Sequence, residues 1–459
     1  MNHGSLEDKL QRVGDPVRML RDSPSNRFKF PYPDQHTTWQ EEQEAWMKTA
    51  VLFDQSHHMT DVYFKGPDTV RLLSDLGTNS FNGFGRDRAK HYIACNEHGQ
   101  MIGSAVLFGL EDDEVSVVGP TACANWLQYH AETGDYAVEV TRDERTTDNA
   151  GQRLTFRLEI EGPHALEIVE RANGGAIEPP GFFRMTHFEL GGRPVRALVH
   201  TMVGLPGADS MGFEIWGPIE DKERCLHALL EAGQDLGLVR GGALAYYTGS
   251  IEAGYMAQPT PAIYTGESLR PYREWLSGSG YEAGLSVGGS FAPQSVEQLY
   301  MTPFEFGYGH LVKFDHDFVG RGALERIAEQ PYRRKVWLRW SEEDVARVYG
   351  ASLFGGENRA KFLETPLARY ARVHHDAVMA DDGLAGISTM PGYTVNAAAW
   401  MSPAMVDEEH AHDGAELRLI WGEENGGTRK RSVERHVQTD VRVTVSTRSL
   451  VASQTAGAS

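Results

Sequence analysis

The stretch Phe64-Lys65-Gly66-Pro67, followed by Val70-Arg71-Leu72-Leu73, is echoed by Ile160-Glu161-Gly162-Pro163, followed by Leu166-Glu167-Ile168-Val169. In both, a run that reads as a strand ends at Gly-Pro, and a helical period opens after it. Proline in the first turn of a helix loses nothing, because the N–H it lacks would have no partner there. Two copies about 100 residues apart predict two related α+β halves, since a solenoid needs shorter periods.

Around the first copy, Asp61–Lys65 alternates like a strand and Pro67–Leu76 reads as a helix. His91–Cys95, Gln100–Phe108 and Val115–Gly119 read as strands, and Thr121–Glu132 as a helix. The second copy gives strands at Arg157–Glu161, Val195–His200 and Gly212–Trp216, then an amphipathic helix over Glu220–Leu236. Upstream, Pro24, Pro31 and Pro33 break any long helix. The first 50 residues therefore read as irregular, apart from a helix over 39–50 that carries Trp39 and Trp46. Beyond residue 331, strands at Val336–Trp340, Leu417–Trp421 and Val441–Val445 lie between many turn signals and predict a separate β-rich domain. The expected division is an α+β domain over 1–149, a second over 150–330 and a β-barrel-like domain over 331–459. The tail Ala452–Ser459 is small and polar and is expected to fray.

The chain has 459 residues, enough for two or three domains. Hydrophobic residues are 41% and charged residues 24%, so it is neither disordered nor fibrous. Its net charge of −20 disfavours nucleic acid and anionic membranes as partners. Cys95, Cys123 and Cys225 are too few and too scattered for a disulfide framework or a zinc motif, and read as reduced thiols of a cytoplasmic protein. Met1–Val13 has no apolar core for export, and no window is apolar enough for a membrane span.

Gly284-Leu285-Ser286-Val287-Gly288 fits the nucleophile-elbow pattern, but Gly289-Ser290 is a poor helix start, and the pattern needs a strand before it and a helix after it. It leaves a serine hydrolase as an alternative. Gly83-Phe84-Gly85 lacks the third glycine of a dinucleotide fingerprint. His57-His58, His374-His375-Asp376, His410/His412 and Asp315-His316-Asp317 invite a metal reading, yet none has the helical spacing of a catalytic zinc site, and no metal is expected. Aromatic residues concentrate at Phe28, Phe30 and Tyr32, and again at Tyr246, Tyr247, Tyr255, Tyr264, Tyr272 and Trp275. Such stretches are either ordinary core or the wall of a flat pocket for aromatic rings.

Several segments together resemble the aminomethyltransferase family, the folate-binding T-protein of glycine cleavage and its relatives. They are Phe53-Asp54-Gln55-Ser56-His57-His58-Met59, the stretch from Gly66 to Leu73, Asn96-Glu97-His98-Gly99-Gln100-Met101-Ile102, Gly212-Phe213-Glu214-Ile215-Trp216 and Ile251-Glu252-Ala253-Gly254. The most specific is Thr302-Pro303-Phe304-Glu305-Phe306-Gly307-Tyr308-Gly309 followed by Phe318-Val319-Gly320-Arg321. The Gln-x-His-His-Met run, Pro261-Ala262-Ile263-Tyr264-Thr265-Gly266 and Trp421-Gly422-Glu423-Glu424-Asn425-Gly426-Gly427-Thr428 look like the branch of tetrahydrofolate-dependent aryl O-demethylases of the vanillate and syringate type.

The resemblance implies a three-domain cloverleaf with tetrahydrofolate in a central channel. It implies that Glu214 holds the pterin ring, that Gln55, Tyr255 and Trp216 line the folate, and that Tyr246 and His58 serve catalysis. It puts the aryl substrate near Phe28, Phe30, His57 and Pro120. Gly103-Ser104 and Gly119 replace the acidic and amide residues of the glycine-cleavage enzymes, which argues against aminomethyl-lipoyl chemistry. Pro120 stands where the vanillate enzyme carries an arginine, and Phe28 and Phe30 stand at tyrosine positions. An unpaired carboxylate in such a pocket is costly, so the implied substrate is a neutral aromatic compound. The expected reaction opens a methylenedioxy ring, as in the lignan sesamin, giving a catechol and 5,10-methylenetetrahydrofolate. The alternatives are demethylation of an aryl methyl ether to give 5-methyltetrahydrofolate, and a non-catalytic folate-binding module.

Overall fold

The computed structural model describes residues 4–25, 31–203, 211–256, 259–381, 383–427, 430 and 433–451. Gly66 and Gly162 both have positive φ, 150° and 130°. A Cβ on Gly66 would lie 2.2 Å from the Ala137 carbonyl oxygen, and one on Gly162 would lie 2.6 Å from that of Thr49. Only glycine passes a neighbouring backbone this closely. Pro67 and Pro163 precede the N-cap residues Asp68 and His164 and lie just outside the helices Thr69–Leu76 and Ala165–Asn173, not inside their first turns.

From Ala50 to Arg240 the chain lays down β1 (Ala50–Asp54), β2 (Thr60–Lys65), β3 (Ala89–Cys95), β4 (Met101–Glu111), β5 (Glu114–Gly119) and β6 (Glu139–Asp143). It continues with β7 (Thr155–Gly162), β8 (Met185–Leu190), β9 (Arg193–Val199), β10 (Met211–Pro218) and β11 (Leu238–Arg240). One sheet has the order β3-β4-β5-β2-β6, the other β8-β9-β10-β7-β1-β11. The opening strand of each copy pairs antiparallel with the strand three further along the chain, β2 with β5 and β7 with β10. The predicted repeat is therefore a repeat of topology. The place beside β7 is taken by β1 from the N-terminal region, and β11 pairs parallel outside it. The halves interleave, whereas the sequence predicts consecutive blocks. The stretch after residue 259 also returns to the first sheet, where Ile263, Leu285 and Phe306 share a core with Val62, Ile93 and Leu107.

Two short helices open the chain where the sequence predicts irregular structure. Leu6–Val13 is capped by Ser5, whose Oγ accepts from Asp8 N at 3.1 Å while Asp8 Oδ2 accepts from Ser5 N at 2.8 Å. Pro16–Arg21 starts on proline behind the Asp15 cap. Both are reciprocal or N1-proline starts that are readable locally. After β12 (Val287–Gly288), the C-terminal region supplies β13 (Arg334–Trp340), β14 (Val373–His374), β15 (Asp376–Ala380), β16 (Gly383–Ser388), β17 (Gly392–Thr394), β18 (Ala399–Val406), β19 (Glu416–Trp421) and β20 (Thr439–Ser446). β13 pairs with both β18 and β20, which closes this sheet into a barrel around Trp340 and Trp421, whose ring centroids lie 5.7 Å apart. The three cysteines are buried and free. Among the described residues no helix is long and apolar enough to cross a membrane.

Burial lowers the pKa of His91 and His130 to about 4 and that of His375 to about 3. Their folded values lie below the unfolded value of about 6.5, so the fold favours the neutral rings. That contribution is complete above pH 6.5 and is lost as the pH falls towards 4, where the unfolded chain binds protons that the folded one refuses. Thermal melts should show Tm dropping steadily from pH 7 to pH 4.5; a flat Tm over that range would contradict this origin.

Candidate active site

The loop after β1 is pinned to β7. Ser56 Oγ accepts from Arg157 N at 3.0 Å and donates to Arg157 O at 3.2 Å, and Gln55 N donates to the same oxygen at 2.9 Å. Asp54 Oδ1 accepts from Ser56 N at 3.0 Å. Within this turn the two histidines part. His57 has Nδ1 3.0 Å from Thr146 Oγ1 and Nε2 3.2 Å from Lys222 Nζ. His58 turns the other way, with Nε2 3.0 Å from Tyr246 Oη.

Tyr246 comes from the helix Ala243–Ala253, which starts at Gly242. Gly242 N donates to Glu42 Oε2 at 2.7 Å, and a Cβ there would lie 2.4 Å from Asp34 O. The face carrying Tyr246, Ser250 and Ala253 borders a cavity of about 690 Å³. Another face carries buried Glu252, whose oxygens accept from Trp46 Nε1 at 2.8 Å and Asn396 Nδ2 at 3.1 Å. Glu252 thus ties the helix to the N-terminal segment and the barrel. Tyr246 Oη also accepts from Gln55 Nε2 at 3.5 Å. Burial, reinforced by Glu159, pushes the Tyr246 phenol well up, while burial lowers His58 to about 4. At neutral pH the pair is an intact phenol against a neutral imidazole.

Glu214 lies on β10, paired with Glu159 on β7 and Leu198 on β9. Its Oε1 accepts from Arg157 Nη1 at 2.7 Å, and its Oε2 lies 3.1 Å from His200 Nε2. Burial alone would raise its pKa, but the Arg157 guanidinium and the His200 contact more than offset that and hold the carboxyl below the usual range. Glu214 is therefore a carboxylate in a dry place. Each oxygen keeps a further lone-pair site. Arg157 is held in turn by Asp61 Oδ1, 2.5 Å from Nη2, and lies over the rings of Phe108 and Trp216 at 4.7 and 5.3 Å. Asp61 and Arg157 precede Gly66 and Gly162 by the same number of residues, so this buried ion pair joins equivalent positions of the two copies.

Of the residues expected at the site, His58, Tyr246, Glu214, Tyr255 and Pro120 face the cavity. Gln55 and Trp216 sit one layer behind, Gln55 against Tyr246 and Trp216 against Phe108 with centroids 4.9 Å apart. His57 faces Thr146 and Lys222 instead. Phe28 and Phe30 lie outside the described residues. Pro120 caps the helix Thr121–Thr133 and gives the cavity no charge. The cavity is nevertheless not uncharged, because Arg145, Arg369 and Arg372 line it. The contribution of the C-terminal region, Arg369 to His375, was missed by sequence reasoning that weighed His374-His375-Asp376 only as metal ligands. The signal was the basic, histidine-rich run Arg369-Tyr370-Ala371-Arg372-Val373-His374-His375.

The hydrolase alternative fails on geometry. Ser286 is fully buried, donates to Ser25 O at 2.6 Å and accepts from Arg372 N at 3.0 Å, so its hydroxyl is spent on backbone. Among the described residues no group of three or more His, Cys, Asp or Glu side chains is placed to hold a metal ion.

The whole chain superposes on the glycine cleavage system aminomethyltransferase T of Bartonella henselae with a TM-score of 0.61 at 15% identity, covering 97% of this chain and 96% of that one, a likeness of fold. It is 39% identical to the syringate O-demethylase of Sphingobium sp. (strain NBRC 103272 / SYK-6), over 96% of this chain and 95% of that protein. It is 30% identical to the sesamin methylene transferase of Sinomonas sp. (strain No.22), over 79% of this chain and 80% of that protein. Residues 24–260 match the family described as the GCVT N-terminal domain. The family model over half of the chain and the likeness to the demethylase along nearly its full length agree: the chain belongs to the GCVT, or aminomethyltransferase, family and is an enzyme of that family.

Proposed function

We propose that this enzyme moves a one-carbon unit from an aryl ether to tetrahydrofolate, the family's cofactor, and that its donor is an aryl methyl ether. The observation that carries the reading is an ionised Glu214 and a neutral Tyr246–His58 pair on the walls of one cavity. The residues fit the cofactor. Glu214 keeps one acceptor site on each oxygen, which suits the paired N–H groups of an aminopyrimidine. Thr201 Oγ1, on the same cavity, is buried without a hydrogen-bond partner among the described residues. Tyr255 and Phe108 give flat apolar walls, and the cavity has the size of a small-molecule site. Gln55 and Trp216 then act from behind, Gln55 by holding the Tyr246 oxygen and Trp216 by backing Phe108 and Arg157.

When bound, tetrahydrofolate supplies the secondary amine that takes up the carbon. The protein must deal with the other end of the breaking bond, because a phenolate is a poor leaving group. Tyr246 is the donor to that oxygen. Its phenol stays protonated at neutral pH, and His58, neutral with Nε2 at the phenol oxygen, orients the hydroxyl. Positioned acid assistance of this kind contributes about 10²–10⁴-fold.

The methyl ether is favoured by the 39% identity to a syringate O-demethylase across nearly the whole chain, and by the cations in the cavity. Pro120 favours the second reading, in which an acetal carbon leaves a methylenedioxy ring such as that of sesamin. Incubation with tetrahydrofolate and either syringate or sesamin separates them by the mass of the folate product. Syringate should yield 5-methyltetrahydrofolate. A 5,10-methylene product from sesamin alone would install the second reading, and folate binding without turnover of either would make the chain a binding module.

A further inference from the structure

One end of the cavity carries more positive charge than its neighbours neutralise. Arg372, just before β14, which pairs with β12 outside the barrel sheet, lies with its guanidinium carbon 5.4 Å from the centre of the Tyr281 ring, and Arg145 approaches the same ring at 5.9 Å. Arg145 has an acidic partner, Asp148, at 2.5 Å. Arg372 makes no ion pair among the described residues, and its buried Nε has no hydrogen-bond partner there. A buried donor left unmade is costly, more so on a cation. Two guanidinium groups facing one ring in a partly dry cavity also repel each other. Burial, with Arg145 adding to it, lowers the Arg372 pKa. An arrangement of this kind is stable when an anion completes it. The place is also right for a substrate: Tyr247, which is felt by Arg372, packs against the Tyr246 ring at 5.9 Å.

We propose that Arg372, flanked by Arg145 and Tyr281, is the seat for the carboxylate of an aromatic acid substrate, and so sets the enzyme's preference for acids over uncharged arenes. This rests on the aryl-ether reading above. A planar guanidinium meets a carboxylate through two parallel N–H donors, a match lysine cannot reproduce. The cation comes from the C-terminal region, so the loss of charge at 120 does not leave the cavity without a cation to meet a carboxylate.

The test compares syringate with its methyl ester in the wild type, Arg372→Gln and Arg372→Lys. The ratio of kcat/KM for acid over ester should fall about 10²-fold in Arg372→Gln, with Arg372→Lys recovering only part of it. Binding of syringate to the enzyme without folate, read by calorimetry, should weaken by a similar factor. An unchanged ratio overturns the assignment, as does a parallel loss for acid and ester, which would mean packing alone. A loss of tetrahydrofolate affinity with the ratio intact also overturns it, and assigns the seat to the cofactor's own carboxylates. If the wild type binds syringate but not its ester and turns over neither, the seat stands and the demethylase reading fails.

Discussion

Tyr246→Phe is expected to lower kcat by about 10²–10⁴-fold while tetrahydrofolate affinity changes little. The substitution removes one oxygen and leaves the ring. The ring's packing, edge-on to Phe53 at 5.3 Å and to His58 at 5.0 Å, does not depend on the hydroxyl. What is lost is the hydroxyl proposed as proton donor and its two contacts, His58 Nε2 at 3.0 Å and Gln55 Nε2 at 3.5 Å. Both neighbours are uncharged, Gln55 as an amide and His58 as a neutral imidazole, so no buried charge is left behind. The loss should therefore appear in the chemical step and not in Tm. Single-turnover rates with saturating folate read that step directly. A variant within a few fold of the wild type would remove Tyr246 from proton transfer and leave it a wall of the pocket.

The repeated Gly-Pro turns carried the fold into view because they mark places where only glycine tolerates the backbone, and that requirement is local. The relation between the two α+β halves followed from it, whereas their strand order came from the structure. Interleaving was not legible, because nothing in Ala50–Asp54 says which sheet will take it; its register with β7 is decided by long-range pairing. The site divides the same way. Glu214 and His58 stood in stretches whose family likeness carried them, and the structure adds what holds each one: Arg157 and His200 for the carboxylate, the Ser56 turn for the imidazole. His57 and His58 looked alike in sequence, and only the turn geometry separates them. Arg372 stood in a basic, histidine-rich run whose place on the cavity could not be read from the sequence, because it comes from far along the chain. The neutral-substrate reading drew on Pro120, Phe28 and Phe30, whereas Arg145, Arg369 and Arg372 also line the cavity.

Glu214→Gln should weaken tetrahydrofolate binding about 10²-fold, the worth of a charged two-point contact, and leave a folded enzyme. Glutamine keeps the shape but loses the charge, and one of its two heads becomes a donor that faces another donor. Breaking a buried ion pair usually costs about 3–5 kcal/mol, because a bare charge remains. Here Arg157 keeps Asp61, which accepts from both Nε and Nη2, so the guanidinium is not stranded and the stability loss should be smaller. Glu159→Gln is the matched control. It is the cross-strand neighbour on β7, fully buried, and burial beside Glu161 pushes its pKa well up, which disfavours its charged form. It does not border the cavity, so replacing it should leave folate affinity close to that of the wild type. Calorimetric titration of both variants, with melts alongside, separates the two effects. If Glu214→Gln bound tetrahydrofolate as tightly as the wild type, the pterin would have to sit elsewhere in the cavity, and the buried carboxylate would serve only to neutralise Arg157.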